Sequence, residues 1–472
     1  MAENKVAAKR PVPNTSSMGD LWARLGFVLF ALLIYRLGAH IPLPGINPVR
    51  LEEIFTLNQG TVLSLFNVFS GGALERMSIF ALGIMPYISA SIIVQLMSAV
   101  VPSVEQLRKE GESGRRKINQ YTRYLTVFIS TLQGFGIAAA LASQQIAFNP
   151  DINFYFVSTV SFVTGSVFLM WLGEQVTEKG IGNGISLLIF ASIVSGIPPL
   201  VGQAATLLRE GDLSLIIGLI FLLFVLGTVI FVIFIERGQR RITINYANRM
   251  TQGGMYARQT SHLPLKINMA GVIPAIFASS LLLFPASMGQ WFGSGSAGSY
   301  GGTTNQIDTT APASDSIGGG LFDSWYDLLL ILGPGQPLYN FLYAAAVIFF
   351  CFFYTALVFN PKDVASNLQR SGALIPGIRP GPQTANYIDN VLTRLTLFGS
   401  LYITAVSLLP QMILVGMNVP FFFAGTSILI VVVVMMDFLA QVQSHIMSSQ
   451  YGSVLQKANL TGSATRKNRS TR

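Results

Sequence analysis

Apolar residues in this chain come in long unbroken runs, unlike the alternation of a half-buried strand or the stripe of a surface helix. The run from Leu213 to Ile235 is apolar on every face, a pattern that suits a helix surrounded by hydrocarbon. Such runs recur between short polar segments and mark ten windows, at about 21–39, 77–101, 121–141, 154–176, 185–208, 213–235, 272–292, 338–357, 392–415 and 421–442. Each is close to the roughly 20 residues a helix needs to cross about 30 Å of hydrocarbon. A membrane barrel would show alternating segments of about ten residues instead, so the pattern predicts an all-α polytopic membrane protein with ten transmembrane helices.

Composition agrees with this reading. Of 472 residues, 51% are hydrophobic and 11% charged, where a soluble domain carries about 25% charged residues. The 30 Lys and Arg set an orientation, because they are unevenly placed. Twenty-three fall in the N-tail, the loops 102–120, 177–184, 236–271 and 358–391, and the C-tail, while only Arg50, Arg76 and Arg209 fall on the opposite side. Basic segments stay in the cytoplasm, so both termini are expected there. Residues 1–20 are polar and lack the apolar core of a signal peptide, which makes them a cytosolic tail. The net charge of +9 is mostly this topology signal, and secondarily a hint of nucleic acid or anionic lipid binding.

Few residues carry recognisable chemistry. Cys351 lies alone in an apolar run and reads as a small buried hydrophobe, and His40, His262 and His445 are too far apart for metal-ligand spacing. No phosphate-loop motif occurs, and Gly293, Gly295 and Gly298 have dinucleotide-motif spacing without the strand and helix that give it meaning. No catalytic residue, metal site or cofactor is therefore expected. The ionisable groups inside predicted spans, Arg24, Arg36, Glu174 and Asp437, all lie near a boundary, where pairing or snorkelling is cheap. A pore driven from elsewhere fits this better than a pump.

Three features bear on a pore. Residues Thr61 to Phe69 form an apolar segment too short to span, followed by Ser70, Gly71 and Gly72; it is either a movable helix on a Gly hinge or a static re-entrant turn. Ile84 and Ile88, like Ile185 and Ile189, are four residues apart and share a helix face, where they either pack or line an apolar constriction. Gln95 and Asn183 are uncharged polar groups in or near spans, suited to polar seams between helices. A secondary transporter remains the competing reading, and its mark would be a mid-membrane charge or a substrate-sized polar pocket.

Eight stretches extend the reading: FSGGALERMSIFALGIMPYISASIIVQL (69–96), EGESGRRKINQYTR (110–123), FLMWLGEQVTEKGIGNGIS (168–186), HLPLKINMAGVIPAIFASS (262–280), GQPLY (335–339), FFCFFYTALVFNP (349–361), SGALIPGIRPG (371–381) and AQVQSHIMSSQY (440–451). On these the chain resembles the SecY family over nearly its whole length. The resemblance implies ten helices in two inverted five-helix halves, 21–208 and 213–442, with a plug at 61–74 and a cytosolic C-tail at 443–472. It implies the central pore-forming subunit of a protein-conducting channel, which passes unfolded secretory proteins across the bacterial inner membrane and membrane proteins laterally into it.

The same resemblance assigns residues. Its hydrophobic pore ring matches Ile84, Ile88, Ile185, Ile189, Ile276 and Ile430, and its plug includes Phe66, Asn67, Phe69, Ser70, Gly71 and Gly72. Gln95 and Asn183 are the candidates for the polar seam of a lateral gate between the second and seventh spans. Loops 236–271 and 358–391, with Arg240, Arg241, Arg249 and Arg379, correspond to a docking surface for the ribosome and the SecA motor ATPase. SecE and SecG would be membrane partners, with signal peptides, nascent chains and the lipid bilayer as the other contacts. The chain departs from the family pattern at the loop tip, where Gly253 and Gly254 replace basic residues, and in a long Gly/Ser-rich external loop at 293–337.

Overall fold

The computed structural model describes residues 18–57, 62–211, 214–246, 260–292, 336–416 and 425–467. The chain begins with α1 (Met18–Gly38), then two short helices, α2 (Pro48–Leu57) and α3 (Val62–Ser70). Next come α4 (Met85–Val100), α5 (Pro102–Lys109), α6 (Glu112–Ser143), α7 (Ile152–Lys179), α8 (Gly184–Glu210) and α9 (Leu215–Glu236). A hairpin of β1 (Gln239–Tyr246) and β2 (Thr260–Lys266) leads to α10 (Ile273–Phe292). The rest is α11 (Pro337–Val358), α12 (Pro361–Arg370), β3 (Ala373–Leu374), α13 (Pro382–Gly416) and α14 (Gly425–Lys467).

Every predicted window falls on a helix, and among the described residues eight of these helices are long and apolar enough to cross a membrane. The two others differ for local reasons. The second window was expected to be helical from residue 77, but Met77 adopts a left-handed φ of 41°, and helix starts only at Met85, with Pro86 in its first turn. At its far end Pro102 holds Val101 extended (φ −95°, ψ 113°), so α5 leaves α4 at 97°. Counted with that bent partner α4 makes a ninth span, while in α10 the apolar helix among the described residues, Ile273–Leu283, is shorter than a span.

The segment 102–120, expected as a loop, is mostly helical in α5 and the first turns of α6. Arg108 donates to the carbonyl of Leu357 and so ties α5 to the end of α11. The four ionisable groups of the spans all find partners. Arg24 pairs with Asp20 at 3.0 Å, Glu174 with Arg123 at 2.7 Å and Asp437 with Lys266 at 3.4 Å. Arg36 donates to a backbone carbonyl.

The sheet modifies the all-helical expectation. β1 pairs antiparallel with β2, with Arg240 opposite Leu265 and Arg241 opposite Pro264. On its other edge β1 takes β3, pairing Asn245 with Leu374 and Tyr246 with Ala373. Loops 236–271 and 358–391 thus meet in one structure. Alternation explains the burial: Ile242 and Ile244 turn inward while Arg241 and Thr243 stay exposed. Ile242 and Leu265 join Ile375, Ile388 and Leu392 in a small core of their own.

The main core is a single aliphatic and aromatic cluster to which α1, α3, α4, α7, α8, α10, α11 and α14 contribute. Among the candidate spans α9 is the least covered, which matches a helix that is apolar on all sides.

Candidate functional site

Ile84 caps the start of α4, and the amide of Ile88 donates to its carbonyl at 3.1 Å, so the two lie one turn apart on one face. Ile189 is on α8, Ile276 in the first turn of α10 and Ile430 on α14. All five are buried in the main cluster. Ile185 is half-buried at its edge, and its Cγ1 would lie 3.0 Å from a Cβ placed on Gly173, so it sits where α8 crosses α7. Four helices that are distant in sequence therefore contribute five of the six isoleucines to one buried core, with Ile185 packed against it.

The short helix α3 enters that cluster through Phe66 and Phe69, and it packs against α8 and α10. At 9 residues it is too short to span. The turn after it is closed by its own groups. Asn67 Oδ1 accepts from the Glu75 amide at 3.1 Å while its Nδ2 donates to Glu75 Oε2 at 3.0 Å, and Ser70 Oγ accepts from the Leu74 amide at 3.2 Å. Gly71 and Gly72 have φ of +69° and +80°, values at which a side chain would be strained.

Residues that the sequence reading did not connect with this segment surround the turn. Tyr35 on α1 is buried, and its hydroxyl lies 3.0 Å from the carbonyl of Ser70 and 2.6 Å from Ser192 Oγ on α8. Arg36 Nη1 donates to the carbonyl of Gly71 at 3.1 Å. His40 Nδ1 is 2.8 Å from the carbonyl of Arg36, and its Nε2 is 2.7 Å from Arg76 Nη1. No local pattern links positions 35, 70 and 192; Arg36, flagged as a boundary cation, was the one signal.

The polar-seam residues fare differently. Gln95 is half-buried on α4, donates to Ser91 Oγ at 3.0 Å, and leaves a buried Oε1 without a hydrogen-bond partner among the described residues. Asn183 is the exposed N-cap of α8 and accepts from the Ile185 amide at 3.2 Å. The four free amides of a helix start explain why an Asn stands there. It borders a cleft of about 230 Å³ near Glu236, Lys266, Asn268 and Asp437. Between α4 and α10, Ser280 Oγ approaches Met85 Sδ at 3.9 Å.

Arg240 and Arg241 are exposed on β1, and Arg379 is exposed in the turn ahead of α13, its carbonyl accepting from Thr384 Oγ1 at 2.9 Å. Arg249, Gly253, Gly254 and nearly all of 293–337 lie outside the described residues. Among the described residues no group of His, Cys, Asp and Glu is placed to hold a metal ion.

A set of apolar helices around one aliphatic core, with a non-spanning helix seated in it, defines a multi-pass membrane protein built like a channel. The family model described as SecY matches residues 78–439, and the chain belongs to the SecY family. It is 58% identical over 450 residues to the protein translocase subunit SecY of Pseudomonas aeruginosa, covering 95% of this chain and 96% of that one. Against the subunit of the same name from Escherichia coli strain K12 the identity is 55% over 449 residues, with 94% and 96% covered.

Solved structures agree in fold. A protein-conducting channel matches with a TM-score of 0.63 at 17% identity, covering 95% of this chain and 96% of that one. A SecY structure described by its plug domain, which stabilises the closed state of that channel, matches at 0.59 and 17%, with the same coverage. Sec61 in a canine ribosome-channel complex matches at 0.58 and 16%, again with 95% and 96% covered. Within this family the chain is a translocation channel subunit and not an enzyme.

Proposed function

We propose that this chain forms the pore through which unfolded polypeptides cross the bacterial inner membrane, with α3 as its plug and the isoleucine cluster as its constriction. The observation that carries the reading is the seating of α3, through Phe66 and Phe69, in the same buried cluster as Ile84, Ile88, Ile189, Ile276 and Ile430. Branched aliphatic side chains exclude water and ions from a narrow neck, yet they offer a passing chain no directional bond to break. In this reading α1 to α8 form one half and α9 to α14 the other, and the chain's lateral exit opens between α4 and α10, where Ser280 meets Met85.

Both termini are assigned to the cytoplasm by the Lys and Arg bias. That puts the sheet and the Arg379 turn on the cytosolic face, where exposed cations suit docking. The likeness to a channel in a ribosome-channel complex supports a ribosome as one occupant of that face. The SecA motor is assigned to the same face, and SecE and SecG to the membrane periphery, as the counterparts this family implies.

The test is resting ion conductance of the purified protein in planar bilayers. Replacing Ile88 and Ile276 together by Asn wets the neck and raises conductance, whereas replacing both by Leu changes it much less. A well-folded Asn double variant with unaltered conductance would remove the constriction from this reading.

A further inference from the structure

The turn after α3 needs no help to hold its shape. Asn67, Ser70 and Glu75 already satisfy it, with the Gly72 amide donating to the Asn67 carbonyl at 3.0 Å. Two carbonyls are left over, those of Ser70 and Gly71, because the last carbonyls of a helix have no partner within it. Both are taken by neighbours: Ser70 by the Tyr35 hydroxyl of α1, and Gly71 by the Arg36 guanidinium of α1 at 3.1 Å together with the more distant Ser195 Oγ of α8 at 3.3 Å. Tyr35 and Arg36 project about 100° apart around their helix. Gly71, at φ +69°, turns successive carbonyls in different directions, so each side chain finds its own.

We propose that Tyr35 and Arg36 are positioning residues that latch α3 in place by holding the Ser70 and Gly71 carbonyls at its Gly hinge. This rests on the reading of α3 as the plug and adds what holds it. The hydroxyls of Tyr35 and Ser192 carry one proton each, and three contacts share them: Tyr35 with the Ser70 carbonyl, Ser192 Oγ with the Leu188 carbonyl at 2.9 Å, and the 2.6 Å contact between the two hydroxyls, in which either oxygen can donate. The latch thus joins α1, the hinge and α8 in one hydroxyl network.

The oxygen of Tyr35 is fixed by its ring, which stacks on Phe80 at 6.2 Å between centroids with 4° between planes; Phe80 in turn stacks on Phe168 at 5.8 Å. The fit is close. A Cβ on Gly71 would lie 3.0 Å from Ser192 Cα, from Ser195 Oγ and from the Tyr35 hydroxyl. Beyond the hinge, Arg76 donates to His40 Nε2, while His40 Nδ1 donates to the Arg36 carbonyl. Both ends of the turn are therefore tied to one stretch of α1. Displacing α3 must break the buried Tyr35 bonds and the half-buried Arg36 bond, which gives an apolar plug a defined seat.

The experiment places a cysteine at Val68 of the full-length protein, in a Cys351→Ser background, and follows its modification by a membrane-impermeant thiol reagent in vesicles. Tyr35→Phe keeps the ring and its stack but loses the bond, and raises the modification rate about fivefold, the factor set by one neutral hydrogen bond. Arg36→Gln raises it about tenfold or more, since the lost bond is charge-assisted, and Arg36→Lys recovers part of the change. Ser192→Ala added to Tyr35→Phe gives no further increase, because Ser192 acts on the hinge through the Tyr35 hydroxyl. A general packing role would instead make the two changes add.

Unchanged rates in folded Tyr35→Phe and Arg36→Gln variants overturn the latch. Resting conductance after deletion of 62–70 separates this from the plug reading. A rise on deletion with unchanged thiol rates removes only the latch, while no rise in a folded deletion variant removes the plug itself.

Discussion

Ile84 and Ile88 stand a short way along the chain from Gly71 and Gly72, and both groups belong to the region around α3. The isoleucines are held by dispersion and exclusion of water, which have no preferred direction and re-form after a neighbour slides past. The hinge carbonyls are held by hydrogen bonds to Tyr35 and Arg36, which have a length and an angle and are lost when the turn shifts. In the proposed reading, a neck that must close around many different chains suits the first kind of force. The proposed plug, which must return to one position, suits the second.

Substitutions on each side put that contrast at risk. The largest stability effect is expected from Ile430→Ala, at a position with no exposure in the described structure. Its cost should be about 2 kcal/mol, the low end for such cavities, because against a lipid reference only lost packing counts. Thermal denaturation in detergent measures it, and Ile430→Leu should stay close to the parent.

Next comes Gly71→Ala, which combines a positive φ with contacts at 3.0 Å, whereas Gly72→Ala meets the positive φ alone, with nothing within 4 Å. Strain of about 1 kcal/mol is expected for each from the backbone, and Gly71 should exceed Gly72 by a clear margin in the same melt. Equal losses would mean that the hinge is not pressed against α1 and α8.

The smallest effect belongs to Asn67→Ala. It removes two bonds to Glu75 at an exposed edge, worth about 1 kcal/mol. It should lower the melting temperature slightly and leave the thiol rate at position 68 below that of Tyr35→Phe. A larger rate than Tyr35→Phe would shift the hold on α3 from the latch to the local turn.

The helices were readable in the sequence because apolar length is a local property, and every window found one. Their ends were less so. The start of α4 was displaced by the left-handed Met77, and the helical arm α5 was hidden because its charged residues look like a loop. The i, i+4 isoleucine pairs could be seen within a helix, but their burial in a core shared by α4, α8, α10 and α14 depends on tertiary packing. The N-cap role of Asn183 was not read, because a polar residue beside a span can serve an N-cap as well as a seam. Tyr35 gave no signal at all: its partners lie 35 and 157 residues away. β3 is 2 residues long, too short for any periodicity to announce.

That short strand has a mechanical consequence. β1 is clasped on one edge by seven paired residues of β2 and on the other by two of β3. A load applied to the hairpin is shared with the segment between α12 and α13 only while those two pairs hold, and they yield before the hairpin itself unzips. The sheet therefore acts as a coupling with a weak link of known position, rigid under light tension and released under heavier pull.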